Sequence, residues 1–301
     1  MKVALIGSNG TLATAFGKYC NQKEYELHVY GRSKPSAYDC NSLHETDLLS
    51  DKFDFHNLSD YDMIVYAAGA GIQSQQKDNV DVIYKLNVDF PVCLYNKLKE
   101  CKSSARLITF GSYFEIGCNN ENRCFSEVDI INSLLDVPND YCVSKRMLTR
   151  FFSSVGEDLK FCHFILPTIY SEYENRNRLI PYVVDGIKTG KNLSFTSGEQ
   201  IRQYLYVDDV PKIVCDAVEN NIPNGIYNIE GSETLSVKDL VCSIMKFFNV
   251  MPSESMFGTN ERQDVGMKNL QLDGTKLRSF VKTQSTHSVL SVIEKYGEIL
   301  L

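Results

Sequence analysis

Short apolar runs recur along the first half of the chain, at residues 3–6, 27–30, 63–67, 106–110 and 161–166. Each has the length of a strand buried on both faces. Stretches with helical spacing lie between them. From Thr11 onward Leu12, Phe16 and Tyr19 fall on one face, and over residues 80–98 Ile83, Leu86, Phe90 and Leu94 do the same. This alternation predicts a parallel sheet covered by helices on both faces. After Leu166 the rhythm breaks into a polar stretch at 171–178, followed by a helical pattern at 180–187. A strand-like run at 203–207, an Asp-Asp pair and another helix read as a late return to the first unit. From about residue 230, helical patterns at 237–248 and 289–296 suggest a second, smaller unit.

Bulk properties narrow the function. A net charge of −7 and a pI near 5.4 argue against a nucleic-acid binder, which needs a basic face to neutralise phosphates. No apolar run approaches the ~18 residues of a membrane span. The first apolar run is too short for a signal peptide and ends in a polar Gly7-Ser8-Asn9 turn, so the expected location is the cytoplasm. The ten cysteines include no Cys-x-x-Cys pair. Cys93, Cys162, Cys215 and Cys242 sit among apolar neighbours and are expected as small core residues in a reducing compartment. No metal-ligand spacing is present.

The sequence Gly7-Ser8-Asn9-Gly10-Thr11-Leu12-Ala13 follows the first strand at once and opens the first helix. A strand, a glycine turn and a helix N-terminus together make a pyrophosphate cradle. Gly7 permits the tight turn, Gly10 lets the backbone approach the phosphates, and the small Ala13 allows close helix packing. The alternative is a plain tight strand-to-helix turn. The cradle implies an α/β fold with a Rossmann-type doubly wound parallel sheet over residues 1–166, including a return segment at about 203–228. Residues 167–202 and 229–301 are then expected to form a smaller C-terminal α/β substrate-binding domain.

Candidate chemistry centres on Tyr141-Cys-Val-Ser-Lys145. On a helix, residues four apart share a face, so the Lys145 ammonium can lie near the Tyr141 phenol. A fixed cation, with the nicotinamide's own charge, is expected to move that phenol toward neutrality, from an ordinary value of about 10. Tyr-x-x-x-Lys also occurs at Tyr19/Lys23, Tyr30/Lys34 and Tyr95/Lys99. Position separates the four, because only Tyr141 follows the strand ending near Phe110 and can share a site with Ser112.

The ordered series of motifs resembles the extended short-chain dehydrogenases/reductases of the nucleotide-sugar epimerase, dehydratase and reductase group. It runs from the glycine turn through Ala67-Ala68-Gly69, Asn87-Val88, Gly111-Ser112 and Tyr141-x-x-Ser144-Lys145. It continues through Gln200-Ile-Arg202-Gln-Tyr-Leu-Tyr-Val-Asp208-Asp209 and Tyr227-Asn228-Ile-Glu-Gly231. The resemblance implies that Ser112 hydrogen-bonds the reacting carbonyl or hydroxyl and that Tyr141 passes the proton. Lys145 would tune Tyr141 and hold the nicotinamide ribose, while hydride moves to or from the nicotinamide. It also places Asp47 and Leu48 at the adenine, and Ala67, Ala68, Gly69, Asn87 and Pro167 along the cofactor. Cofactor choice is read after the second strand, in His28-Val-Tyr30-Gly31-Arg32-Ser33-Lys34. With no carboxylate there and with Arg32 and Ser33 suited to a 2′-phosphate, NADP(H) is expected, NAD(H) being the alternative.

The residues immediately after Ser112 narrow the reaction. Dehydratases of the group carry an Asp-Glu pair at the positions of Tyr113 and Phe114, and Glu115 comes one residue late. The epimerase–reductases that make GDP-fucose carry a cysteine at the position of Phe114. Two possibilities remain: reduction of a keto sugar, or an epimerase or dehydrogenase that keeps its cofactor bound. The NADP(H) expectation favours net reduction. So does similarity of the 179–182 and 196–202 segments to reductases that finish deoxysugars such as CDP-abequose. A nucleotide-linked 4-keto-6-deoxyhexose is therefore the expected substrate. By resemblance Arg202 would meet its pyrophosphate and Ser112, Tyr113 and Thr168 its sugar, although Thr168 and Ser171 replace the group's usual Asn and Gly. Arg176 and Arg178 lie in the polar loop expected over the nucleotide, and Pro91 should bend its helix or lie near its start. A homodimer through the helices of residues 86–98 and 141–152 is expected, the alternative being that these apolar stripes are core. A non-catalytic NADP-binding role is the reading from another class, and such proteins usually lose the Tyr/Lys pair kept here.

Overall fold

A computed structural model of the chain describes residues 1–50, 52–71, 79–260 and 266–299. Seven strands form one parallel sheet: β1 (Lys2–Ile6), β2 (Glu26–Gly31), β3 (Ser42–Glu45), β4 (Met63–Tyr66), β5 (Arg106–Ser112), β6 (Phe161–Leu166) and β9 (Gly225–Asn228). Their spatial order is β3-β2-β1-β4-β5-β6-β9. The sequence order reverses between β1 and β4, and it is outside the strand ends at such a switch point that α/β sheets bind ligands.

Alternation along each strand explains the two-sided cover. Ala4, Ile6, Ile64 and Leu107 face one apolar core with α3 (Phe90–Glu100) and α5 (Asp140–Ser154). Val3, Leu5, Val65 and Ile108 face the other, with α1 (Thr11–Gln22) and α7 (Asp209–Glu219). A strand covered on both faces reads as a continuous apolar run, which is why β1 and β4 were legible as such.

The chain at 80–98 is not the single regular helix its spacing suggests. α2 (Val80–Tyr84) passes through a π-helical turn at Lys85–Asp89 into α3. Pro91 sits in the first turn of α3, where a ring without an N–H would clash with the preceding turn of a regular helix. The widened turn accommodates it.

A second sheet is built around β8 (Ile201–Tyr206), which pairs antiparallel with β10 (Glu233–Ser236) and parallel with β7 (Thr168–Tyr170) and β11 (Asn269–Leu270). It packs with α6 (Leu179–Thr189), α8 (Val237–Phe247) and α10 (Val289–Ile299) around Tyr170, Tyr206, Ile244 and Tyr296. This corrects the reading of 203–207 as a return to the first sheet. β8 belongs to the second sheet, and the return is made by α7 and β9. A half-apolar strand does not announce which sheet it joins. Short α4 (Glu127–Ile131) and α9 (Thr275–Arg278) complete the helices among the described residues. All ten cysteines are free, with Cys162 and Cys215 buried as expected; Cys93 is exposed on α3 and Cys242 half-buried on α8, against expectation.

Candidate active site

The glycine turn brings the ends of β1 and β4 together. Gly7 has φ +107°, a left-handed conformation that glycine adopts without strain. A Cβ there would stand 3.1 Å from the Ala68 nitrogen, so three of the predicted cofactor residues, Gly7, Ala67 and Ala68, meet at one point. Gly10 caps α1 with extended backbone; no side chain caps the helix and no acidic residue lies in its first turn. A Cβ on Gly10 would project into open space. Uncapped N–H groups at Thr11 and Leu12 beside an open face are what a pyrophosphate requires, so the turn fits a dinucleotide.

Asn9 fastens this turn to the loop after β2. Its amide donates to Ser33 Oγ at 3.0 Å and to the Lys34 carbonyl at 3.3 Å, and its oxygen accepts from the Ser36 N–H at 3.2 Å. Arg32, Ser33 and Lys34 are exposed, free of any carboxylate on β2's end. Ser8 is buried, and its carbonyl accepts from the Tyr38 hydroxyl at 2.8 Å, a contact the sequence did not suggest. Asp47 is exposed with its carboxylate on the Leu49 N–H at 3.0 Å, while Leu48 is buried.

Beyond β4, Gly69 and Ala70 lean on Asn87. The Asn87 side chain is 1% exposed, accepts from the Ala70 N–H and donates to the Ala70 carbonyl, both at 3.0 Å. It also donates to Ser144 Oγ at 2.9 Å. The amide is thus a structural tie between the β4 loop and α5.

Ser112 closes β5 and caps the 3-10 turn Tyr113–Ile116. Asn139 caps α5, its side chain accepting from the Cys142 N–H at 3.1 Å. This cap sets Tyr141 in the first turn and Lys145 one turn later. The Ser112 hydroxyl lies near enough to the Tyr141 phenol to favour its ionised form, and the phenol is 8% exposed. In the protein alone, without the nicotinamide's charge, Tyr141 stays a neutral phenol. Burial raises its pKa, and the nearby Ser112 hydroxyl and the charge of Arg178 only partly oppose this. Lys145 lies one turn on, its ammonium donating to the Phe110 carbonyl at 2.8 Å and standing 5.9 Å from the Tyr141 ring centroid.

The remaining predicted residues flank this trio unequally. Pro167 is buried and Thr168 half-buried after β6. Tyr113 is fully buried with its hydroxyl on Thr168 Oγ1, so it supports Thr168 rather than facing a cleft. Arg202 on β8 is 4% exposed, and its Nη1 donates to the Ile201 and Met267 carbonyls at 2.9 and 2.8 Å. Arg178 is fixed by Glu174 at 2.8 Å and by the Ile169 carbonyl at 2.9 Å, whereas Arg176 is exposed. Sequence reasoning missed Glu115 as a member of the site, having weighed it only as a displaced acid.

The model of the NAD dependent epimerase/dehydratase family matches residues 3–229. CDP-abequose synthase of Yersinia pseudotuberculosis is 23% identical over 255 residues, which cover 81% of this chain and 83% of that protein. Among solved structures, DesIV, a dTDP-glucose 4,6-dehydratase from Streptomyces venezuelae with NAD and TYD bound, superposes with a TM-score of 0.82 at 17% identity, covering 99% of this chain and 97% of its own. The UDP-glucose 4-epimerase of Thermus thermophilus in complex with NAD gives a TM-score of 0.83 at 13% identity, covering 100% and 99%. A match over residues 3–229, more than half of the chain, decides the matter: the chain belongs to the NAD dependent epimerase/dehydratase family, as a nicotinamide-dependent enzyme of the extended short-chain dehydrogenase/reductase type.

Proposed function

We propose that this enzyme uses NADPH to reduce a nucleotide-linked 4-keto-6-deoxyhexose. The observation that carries the reading is the convergence of Ser112, Tyr141 and Lys145 beside two positions, Tyr113 and Phe114, that hold no acid–base pair for eliminating water. A phenol whose pKa is raised by burial is a proton donor, which suits addition of hydride and proton to a carbonyl. Similarity to CDP-abequose synthase supports a deoxysugar substrate.

Ser112 donates a hydrogen bond to the keto oxygen and polarises it. Tyr141 delivers its proton to that oxygen as the carbon is reduced, leaving an alcohol. Lys145 stabilises the resulting phenolate and holds the nicotinamide ribose. The reduced nicotinamide, when bound, supplies the hydride. The cradle from Gly7 to Leu12 holds the pyrophosphate, and Arg32 and Ser33 hold the 2′-phosphate. Thr168 meets the sugar and Arg202 the substrate's phosphates. We place the enzyme in the cytoplasm, as a homodimer. Val143 and Met147 on α5 are exposed and form an apolar face with Val88, Val92 and Phe151.

The test is NADPH oxidation against CDP-, dTDP-, UDP- and GDP-linked 4-keto-6-deoxysugars, with NADH as control. Consumption of NADPH with one of them, abolished by Tyr141→Phe with cofactor affinity intact, is the expected result. Conversion of a sugar to its isomer without net consumption overturns reduction in favour of epimerisation.

A further inference from the structure

Glu115 is fully buried, three residues beyond Ser112. Its Oε1 accepts from the Ser112 N–H at 2.7 Å, while Ser112 Oγ accepts from the Phe114 N–H at 3.3 Å. Its Oε2 makes no full hydrogen bond among the described residues, although the Thr149 hydroxyl lies near enough to favour the charged form. An unsatisfied oxygen on a buried carboxylate is strongly unfavourable unless a charge answers it.

The groups facing Glu115 identify that charge. From α5 come Lys145 and Arg146, but Arg146 is engaged with main chain, its Nε donating to the Glu115 carbonyl at 2.7 Å. From β6 comes His163, held between Thr109 and Thr149 at 2.8 and 2.9 Å and kept neutral by burial. Tyr141 is protonated, and Glu127 of α4 is turned to the Asn228 N–H at 2.8 Å. Lys145 remains. It is tied to the Phe110 carbonyl and Glu115 to the Ser112 N–H, two residues apart on one strand end. Gly111 lies between them, and a Cβ there would stand 2.6 Å from Glu115 Oε1, so the strand leaves room for the carboxylate.

We propose that Glu115 is a positioning residue for the reaction, serving as the buried counter-ion of Lys145 and the anchor of the Ser112 main chain. Burial pushes the lysine down and the carboxyl up, and each charge pulls the other back. Without the carboxylate, Lys145 would lose its proton nearer neutrality and could no longer stabilise the Tyr141 phenolate. The assignment holds for either direction of hydride transfer, so it goes beyond the proposed reduction.

The experiment is the pH dependence of acylation of Lys145, located by peptide mass spectrometry, in the full-length protein and in Glu115→Gln and Glu115→Asp. Glu115→Gln keeps shape and the acceptor for Ser112 but removes the charge, and should lower the Lys145 midpoint by about 1 to 2 pH units. Glu115→Asp keeps the charge and should leave the midpoint near wild type while lowering kcat through a displaced Ser112. In the catalysed reaction, the alkaline limb of kcat should move down with the labelling midpoint in Glu115→Gln, with KM little changed. A Lys145 midpoint identical in wild type and Glu115→Gln overturns the proposal, as does one that falls equally in Glu115→Asp. The labelling needs no substrate, so a failed search for the keto sugar leaves this test standing.

Discussion

Asn87 donates its side-chain amide to Ser144 Oγ at 2.9 Å, and that bond joins the loop after β4 to the helix that carries Tyr141 and Lys145. Ser144 is itself anchored on the Tyr141 carbonyl at 2.8 Å. Replacing Asn87 with Ala removes three bonds at a site that is 1% exposed, and leaves the Ala70 N–H and carbonyl without that partner. The expected loss is about 2 to 3 kcal/mol of stability. Urea unfolding measures it directly; a variant as stable as wild type would show that the tie contributes nothing.

Arg32 is expected to set the cofactor. Arg32→Asp exchanges a cation for the carboxylate that binds a ribose 2′-hydroxyl, and should weaken NADPH about 10- to 100-fold, or ~1.4 to 2.8 kcal/mol, while leaving NADH binding equal or tighter. Fluorescence titration of both reduced cofactors decides it. Unchanged NADPH affinity would move the assignment to NAD(H).

Acid sensitivity follows from His163. Burial holds its folded pKa near 3, against an ordinary 6.5. The native protein therefore stays neutral there while the unfolded chain takes up a proton below pH 6.5. Its contribution to stability is complete above that value and is lost as the pH falls toward 3, at up to ~1.4 kcal/mol per pH unit. Glu115 works the opposite way, since a carboxyl raised above 4.5 in the folded state stabilises at low pH and loses that effect as the pH rises. His163→Gln should flatten the stability profile between about pH 6 and 4. An equally steep acid limb in the variant would rule His163 out as the cause.

Met147 and Val143 test the dimer. Met147 is 46% exposed and Val143 36%, on the outer face of α5 away from the Tyr141 side of the helix. Met147→Glu should convert a dimer to a monomer in light scattering, with melting of the isolated subunit unaltered. A wild-type protein that is already monomeric refutes the assembly.

The sequence made β1, β2, β4, β5 and β6 legible because these strands are largely buried on both faces, whereas half-exposed β3 was not read. Gly7, Ser112, Tyr141 and Lys145 stand at strand ends or in a helix's first turns, positions that order along the chain is enough to indicate. It could not reveal which sheet β8 joins, because pairing with β7 and β10 depends on residues 29 or more positions away. Nor could it reveal that Lys145 turns to the Phe110 carbonyl. Spacing places two residues on one helix face but says nothing of where a four-carbon side chain ends. Glu115 was hidden for a related reason: its role comes from burial beneath Ser112, which a residue name does not carry.

The three bonds from Asn9 to residues 33, 34 and 36 bear on kinetics as well as shape. The segment following β2 is organised by the glycine turn before any dinucleotide arrives, so its ordering entropy does not weaken binding. Association should then proceed without a loop-closing step, and discrimination between the two nicotinamide dinucleotides should appear in how slowly the preferred one leaves.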